Sequence, residues 1–149
     1  MDAILTELGR LHLRIGEYPA ALKHLEGAMD AMETPSAQLL DEAGRVHQRQ
    51  GDIEAARRCF RRSLDLAQAQ DDPVSIARAL SRLGGASFEK GDLAAAAESF
   101  HSALGTASPR GDMEGMSTAL YGMGLVENLR GALEPAVGHF RRSLDFFEA

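Results

Sequence analysis

Apolar residues recur at three- and four-residue intervals along nearly the whole chain, the spacing that lines up one face of an α-helix. The pattern is plainest between positions 79 and 104, ALSRLGGASFEKGDLAAAAESFHSAL. One apolar stripe runs to Lys90, Gly91-Asp92 interrupts it, and an alanine-rich stripe follows. That stretch predicts a helical hairpin.

The same unit recurs before and after it. Breaks fall at Gly16-Glu17, Gly51-Asp52, Gly91-Asp92 and Gly131-Ala132, separated by 35 (16 to 51), 40 (51 to 91) and 40 (91 to 131) residues. A further glycine stands seven residues before each break: Gly9, Gly44, Gly84 and Gly124. A small residue follows five after it (Ala21, Ala56, Ala96, Ala136), and a leucine or phenylalanine nine after it (Leu25, Phe60, Phe100, Phe140). Self-similarity at this period marks a repeat array. A mid-helix glycine costs about 1 kcal/mol of helix propensity, and the natural return is close approach by the second helix. Glycine at the break accepts the left-handed conformation that ends a helix. Pro19 and Pro135 fall in the first turn of second helices, where proline is tolerated. Thr34-Pro35-Ser36, Asp71-Asp72-Pro73 and Ser108-Pro109 read as turns between hairpins. Eight helices are expected, near 2–15, 18–32, 37–50, 53–69, 74–90, 93–107, 113–130 and 133–148. They form hairpins at 2–33, 37–69, 74–107 and 113–148 of a single domain.

Leu8-Gly9, Gly16-Glu17-Tyr18 and Ala21 form a motif that is matched by Gly44, Gly51-Asp52 and Ala56. It returns as Leu83-Gly84, Gly91-Asp92 and Ala96, and again as Met123-Gly124, Gly131 and Ala136. Over almost its whole length the chain resembles the tetratricopeptide repeat family in its longer, roughly 40-residue form. The family's early Trp is replaced by Leu5, Leu40, Leu80 and Leu120, and its mid-helix Tyr by His12, His47, Ser87 and Glu127. The resemblance implies an all-α, right-handed superhelix of four antiparallel hairpins whose first helices line a concave groove. It puts Arg10, Arg14, Arg45, Arg49, Arg78 and Arg82 on that wall, with Phe88, Tyr121, Leu125 and Leu129 toward its C-terminal end. Thr6, Arg10 and Glu42 stand where the family's carboxylate clamp has Lys, Asn and Asn, and Glu42 would repel a carboxylate. A strict clamp of that kind is not expected.

Each arginine pair is spaced i, i+4, which sets like charges side by side at a cost of a few tenths of a kcal/mol. Arg78 and Arg82 have no Asp or Glu three or four residues away on their own helix. Guanidinium binds carboxylates bidentately, so such pairs suit an acidic partner. The alternative is pairing within the chain, to Glu7, Asp41 and Glu42, in surface networks that contribute little each.

The balance of charge narrows the partners. Net charge is −6 and the isoelectric point about 5.3, which argues against nucleic acid and anionic membrane. No apolar run reaches 18 residues, so no membrane span is expected. The N-terminus lacks the basic and apolar regions of a signal peptide, and a single cysteine excludes an internal disulfide framework; a cytoplasmic location is expected.

Candidate chemistry adds little. Cys59 has no partner at metal spacing, and His12, His24, His47, His101 and His139 never form HxxxH or HExxH. The stretch around Gly122 and Gly124 has Glu127 where a nucleotide loop needs its third glycine. Arg57, Arg58, Arg61 and Arg62, echoed by Arg141 and Arg142, read as a solvated convex face. The chain is therefore expected to be a protein-interaction scaffold, with no catalytic activity, cofactor or metal. Its groove would take a peptide or helix bearing acidic and apolar side chains. A second reading makes it a sensor or oligomerisation segment of a larger regulator. Solenoids need polar end caps, yet the last helix carries Phe146 and Phe147; either these pack back on the first helix of the fourth hairpin, or the chain self-associates as a homo-oligomer or is a fragment of a longer one, and the last two are the favoured expectations.

Overall fold

The computed structural model describes residues 2–148, with Asp2 described by its backbone alone. Among these residues are eight α-helices and no strand: α1 (Asp2–Ile15), α2 (Tyr18–Asp30), α3 (Ala37–Arg49), α4 (Ile53–Ala69), α5 (Pro73–Glu89), α6 (Leu93–Ala107), α7 (Met113–Leu129) and α8 (Leu133–Glu148). A 3-10 turn over Ser108–Arg110 joins α6 to α7. The helices pack into two compact units, Met1–Leu66 and Ala67–Ala149.

The Gly-Asp breaks do two jobs at once. At Gly91 the backbone turns left-handed (φ 80°), and the next amide, of Asp92, donates back to Ser87 O at 3.0 Å, closing α5. The Asp92 carboxylate then accepts the Ala95 amide at 3.0 Å, opening α6 with an N-cap. Asp52 does the same for α4 through the Ala55 amide, also at 3.0 Å. Asp72 and Asp112 cap α5 and α7. Where the first break has Glu17, no side-chain cap forms. Glu17 is too long for that bond, and its Oε2 meets His12 Nδ1 at 2.7 Å instead.

The earlier glycine of each hairpin is where the two helices touch. A Cβ on Gly9 would lie 2.7 Å from Leu25, one on Gly84 2.9 Å from Phe100 and one on Gly124 2.5 Å from Phe140; Gly44 stands closer still to Phe60. These backbones therefore approach as only glycine permits. Two hairpins carry a further latch between their helices. The Ser63 hydroxyl donates to Ala37 O at 2.7 Å, and Ser143 to Ser117 O at 2.9 Å.

Within each unit a first helix seats on the second helix of the preceding hairpin. In the N-terminal unit Leu39 and Val46 of α3 close over Ala21, Leu25 and Ala28 of α2. In the C-terminal unit Val126 of α7 closes over Ala96 and Phe100 of α6, flanked by Phe88, Leu93, Ala97 and Met123.

Candidate functional site: two arginine-lined clefts

The i, i+4 spacing sets Arg10 and Arg14 together on α1, and Arg45 and Arg49 together on α3. These four arginines border one open cleft of about 480 Å3 in the N-terminal unit, with Glu7, Leu13, Tyr18 and Glu42. Four guanidinium groups thus face two carboxylates, a local excess of two positive charges in a chain whose net charge is −6.

The carboxylates are held by one arginine. Arg10 Nε donates to Glu42 Oε1 at 2.8 Å, and its NH1 to Glu7 Oε1 at 2.5 Å. The bond to Glu42 is the main reason the Arg10 pKa lies above its ordinary value, with partial burial acting the other way. The sequence left open whether the arginines pair within the chain; for Arg10 they do. Arg14, Arg45 and Arg49 form no ion pair among the described residues. Glu42 is buried, and its Oε2 has no hydrogen-bond partner among them.

A second cleft, of about 310 Å3, lies in the C-terminal unit between Arg78 and Arg82 of α5 and Asp112, Glu114, Gly115 and Thr118 at the start of α7. Its formal charges balance. Acids absent three or four residues from Arg78 and Arg82 on α5 are supplied to this cleft by the N-terminus of α7, and Asp112 is already engaged by the Gly115 amide at 3.0 Å. Arg78 also acts on Asp72. The Asp72 carboxyl is held below its ordinary pKa chiefly by the Ser75 hydroxyl at 2.6 Å, with Arg78 a lesser cause.

The apolar half of the expected site divides. Phe88 is half-buried and packs against the core around Phe100 and Val126. Tyr121 and Leu129 are exposed, Leu125 is half-buried, and the Tyr121 ring leans on Phe140 with centroids 5.6 Å apart. Phe147 is exposed and Phe146 half-buried. Sequence reasoning missed Leu13 and Tyr18 as cleft residues. Tyr18 follows the first break directly, and that position was the available signal.

His12 stacks on His24 at 5.1 Å. Cys59 is half-buried, and burial pushes its thiol pKa up against the pull of Arg62 and Arg58. Among the described residues no group of three or more His, Cys, Asp or Glu side chains could hold a metal ion. No helix among them is long and apolar enough to cross a membrane.

Antiparallel helix pairs repeated at a fixed period, with ligand-sized clefts between first helices, define a helical-repeat protein. The profile of the tetratricopeptide repeat matches residues 1–69 and 35–108, and the chain belongs to that family. No curated protein sequence matches it. Among solved structures, MamA is similar at 22% identity and a TM-score of 0.75, over 99% of this chain and 78% of MamA. The Rap conjugation gene regulator of plasmid pLS20, solved in complex with a Phr peptide, is similar at 18% identity and a TM-score of 0.84. That match spans 95% of this chain but 41% of the regulator. Aspartyl phosphate phosphatase F from Bacillus subtilis is similar at 17% identity and a TM-score of 0.84, over 97% of this chain and 39% of the phosphatase. The chain thus spans less than half the length of the last two.

Proposed function

We propose that the chain is a non-catalytic protein-interaction module, and that the N-terminal cleft captures an acidic, partly apolar peptide segment. The observation that carries this reading is the charge of that cleft. Arg14, Arg45 and Arg49 face it without an ion pair among the described residues, while Arg10 neutralises the carboxylates beside them. Guanidinium forks hold carboxylates by paired hydrogen bonds. Leu13 and Tyr18 add apolar lining. The charge-balanced cleft of the C-terminal unit makes the smaller contribution. Among similar folds, the Rap regulator is solved with a peptide bound, which supports this reading.

The test is titration of the chain against fluorescent peptides in which Asp and Glu flank a leucine, beside matched peptides bearing Lys. The acidic series binds more tightly. Reversing Arg45 and Arg49 to Glu removes two charge-assisted contacts and weakens binding at least tenfold, about 1.4 kcal/mol or more. Reversing Arg78 and Arg82 has the smaller effect. Equal binding of acidic and basic peptides, or indifference to the Arg45 and Arg49 reversal in a variant shown by circular dichroism to be folded, would sink the reading.

A further inference from the structure

The second-helix segments of the first, third and fourth hairpins carry apolar residues at five fixed positions, counted two, six, nine, thirteen and sixteen residues after the break; α4 departs from this at Arg57. On α6 these are Leu93, Ala97, Phe100, Leu104 and Ala107, none of them exposed, and Leu93, Ala97 and Phe100 lie under Val126 of α7. On α8 the same positions are Leu133, Val137, Phe140, Leu144 and Phe147. Here Leu133 is 63% exposed, Leu144 58% and Phe147 74%. This face is built like the one on α6, and among the described residues no helix seats on it.

The seating face is equally fixed. Val126 stands two residues after the glycine that meets Phe140, and Val46 of α3 stands two after Gly44; both are wholly buried. Leu39, five before Gly44, is buried with it against α2. On α1 those two positions hold Leu11 and Ile4, which are 44% and 64% exposed. So one chain carries both halves of a joint that it makes twice within itself. The glutamate this would bring to the joint, Glu7, has a precedent. Glu42 holds that position on α3, where it is buried and paired with Arg10.

We propose that a second copy of this chain seats its α1, through Ile4 and Leu11, on the α8 stripe of Leu133, Val137, Leu144 and Phe147. The contact repeats the α2–α3 and α6–α7 joints between molecules. It is heterologous, the α1 face of one copy meeting the α8 face of the next, so every assembled pair keeps one free α1 face and one free α8 face unless a ring closes. This association uses none of the cleft arginines except through the shared helix α1.

Sedimentation of the chain from low to high micromolar concentration tests it. The parent grows beyond the monomer as concentration rises. Leu11→Glu and Val137→Glu, both at exposed positions where the carboxylate stays solvated, are each folded by circular dichroism and each monomeric. Mixed in equal amounts they form a dimer and stop there, because one retains the α8 stripe and the other the α1 face. A monomeric parent would overturn the proposal, leaving the stripe to another segment or partner. So would continued self-association of Leu11→Glu, which would mean α8 meets α8, or a mixture that stays monomeric.

Discussion

At the residue scale, the four helix-crossing glycines share one motif and differ in what surrounds it. A methyl group at Gly44 would strike Phe60, which is wholly buried and has nowhere to go. One at Gly124 would strike Phe140, which is half-buried and can swing outward. Replacing glycine by alanine in a helix gains about 1 kcal/mol of propensity, whereas overpacking a rigid core costs about 1–3 kcal/mol. Gly44→Ala therefore destabilises the protein by about 1 kcal/mol, while Gly124→Ala is close to neutral. Urea midpoints of the two variants measure the difference, and equal midpoints would contradict it. The sequence pointed to close approach by the second helix at both glycines; that each meets an aromatic ring came from the fold. Nor did the sequence show which ring could yield, because burial depends on the helix beyond the pair.

At the element scale, the helices were legible almost to their ends because the punctuation is local. A glycine that turns left-handed and an aspartate that caps the next helix act within a few residues of themselves. α2 stops at Asp30 rather than 32, since no glycine closes it and Thr34-Pro35 draws the chain out of the helix. The caps themselves have measurable weight. Asp72→Ala removes the bonds to Ser75 at the start of α5 and costs about 1 kcal/mol. The Asp72 pKa is depressed on folding, so its contribution is fully present above the ordinary carboxylate range, near pH 4. It is lost as pH falls through the lower folded value. Unfolding followed from neutral pH downward should show the gap between parent and variant narrowing in that acid window, and a gap that widens would contradict the assignment. What punctuation could not reveal was the company of Arg78 and Arg82. Besides Asp72, which Arg78 reaches from its own helix, their acidic neighbours in the cleft come from α7, and only the packing of α5 beside α7 brings Asp112 and Glu114 to them.

At the scale of the whole molecule, a chain with a net charge of −6 concentrates arginine at one cleft and apolar side chains on α8. The two features answer differently to salt. Contacts between solvent-exposed charges are screened once the Debye length shrinks to about 3 Å at 1 M salt. Burial of apolar surface is not weakened in this way. Raising salt should thus release an acidic peptide from the N-terminal cleft while leaving self-association through α8 intact. Fluorescence titration and sedimentation on one preparation measure both. If salt dissolved the assembly and spared the peptide, both assignments would be reversed. The arginines were visible in sequence as pairs; that Arg10 is occupied by its neighbours, and Arg45 and Arg49 are not, required the fold.

The close approach at Phe100 reaches beyond stability into time. Its ring lies between the backbones of Gly84 and Gly122, both too near to admit even a methyl group. A ring packed so closely against two backbones turns over only in the moments when its neighbours draw apart. The flip rate of the Phe100 ring, read from its aromatic NMR signals, would therefore report how often α5 and α7 draw apart.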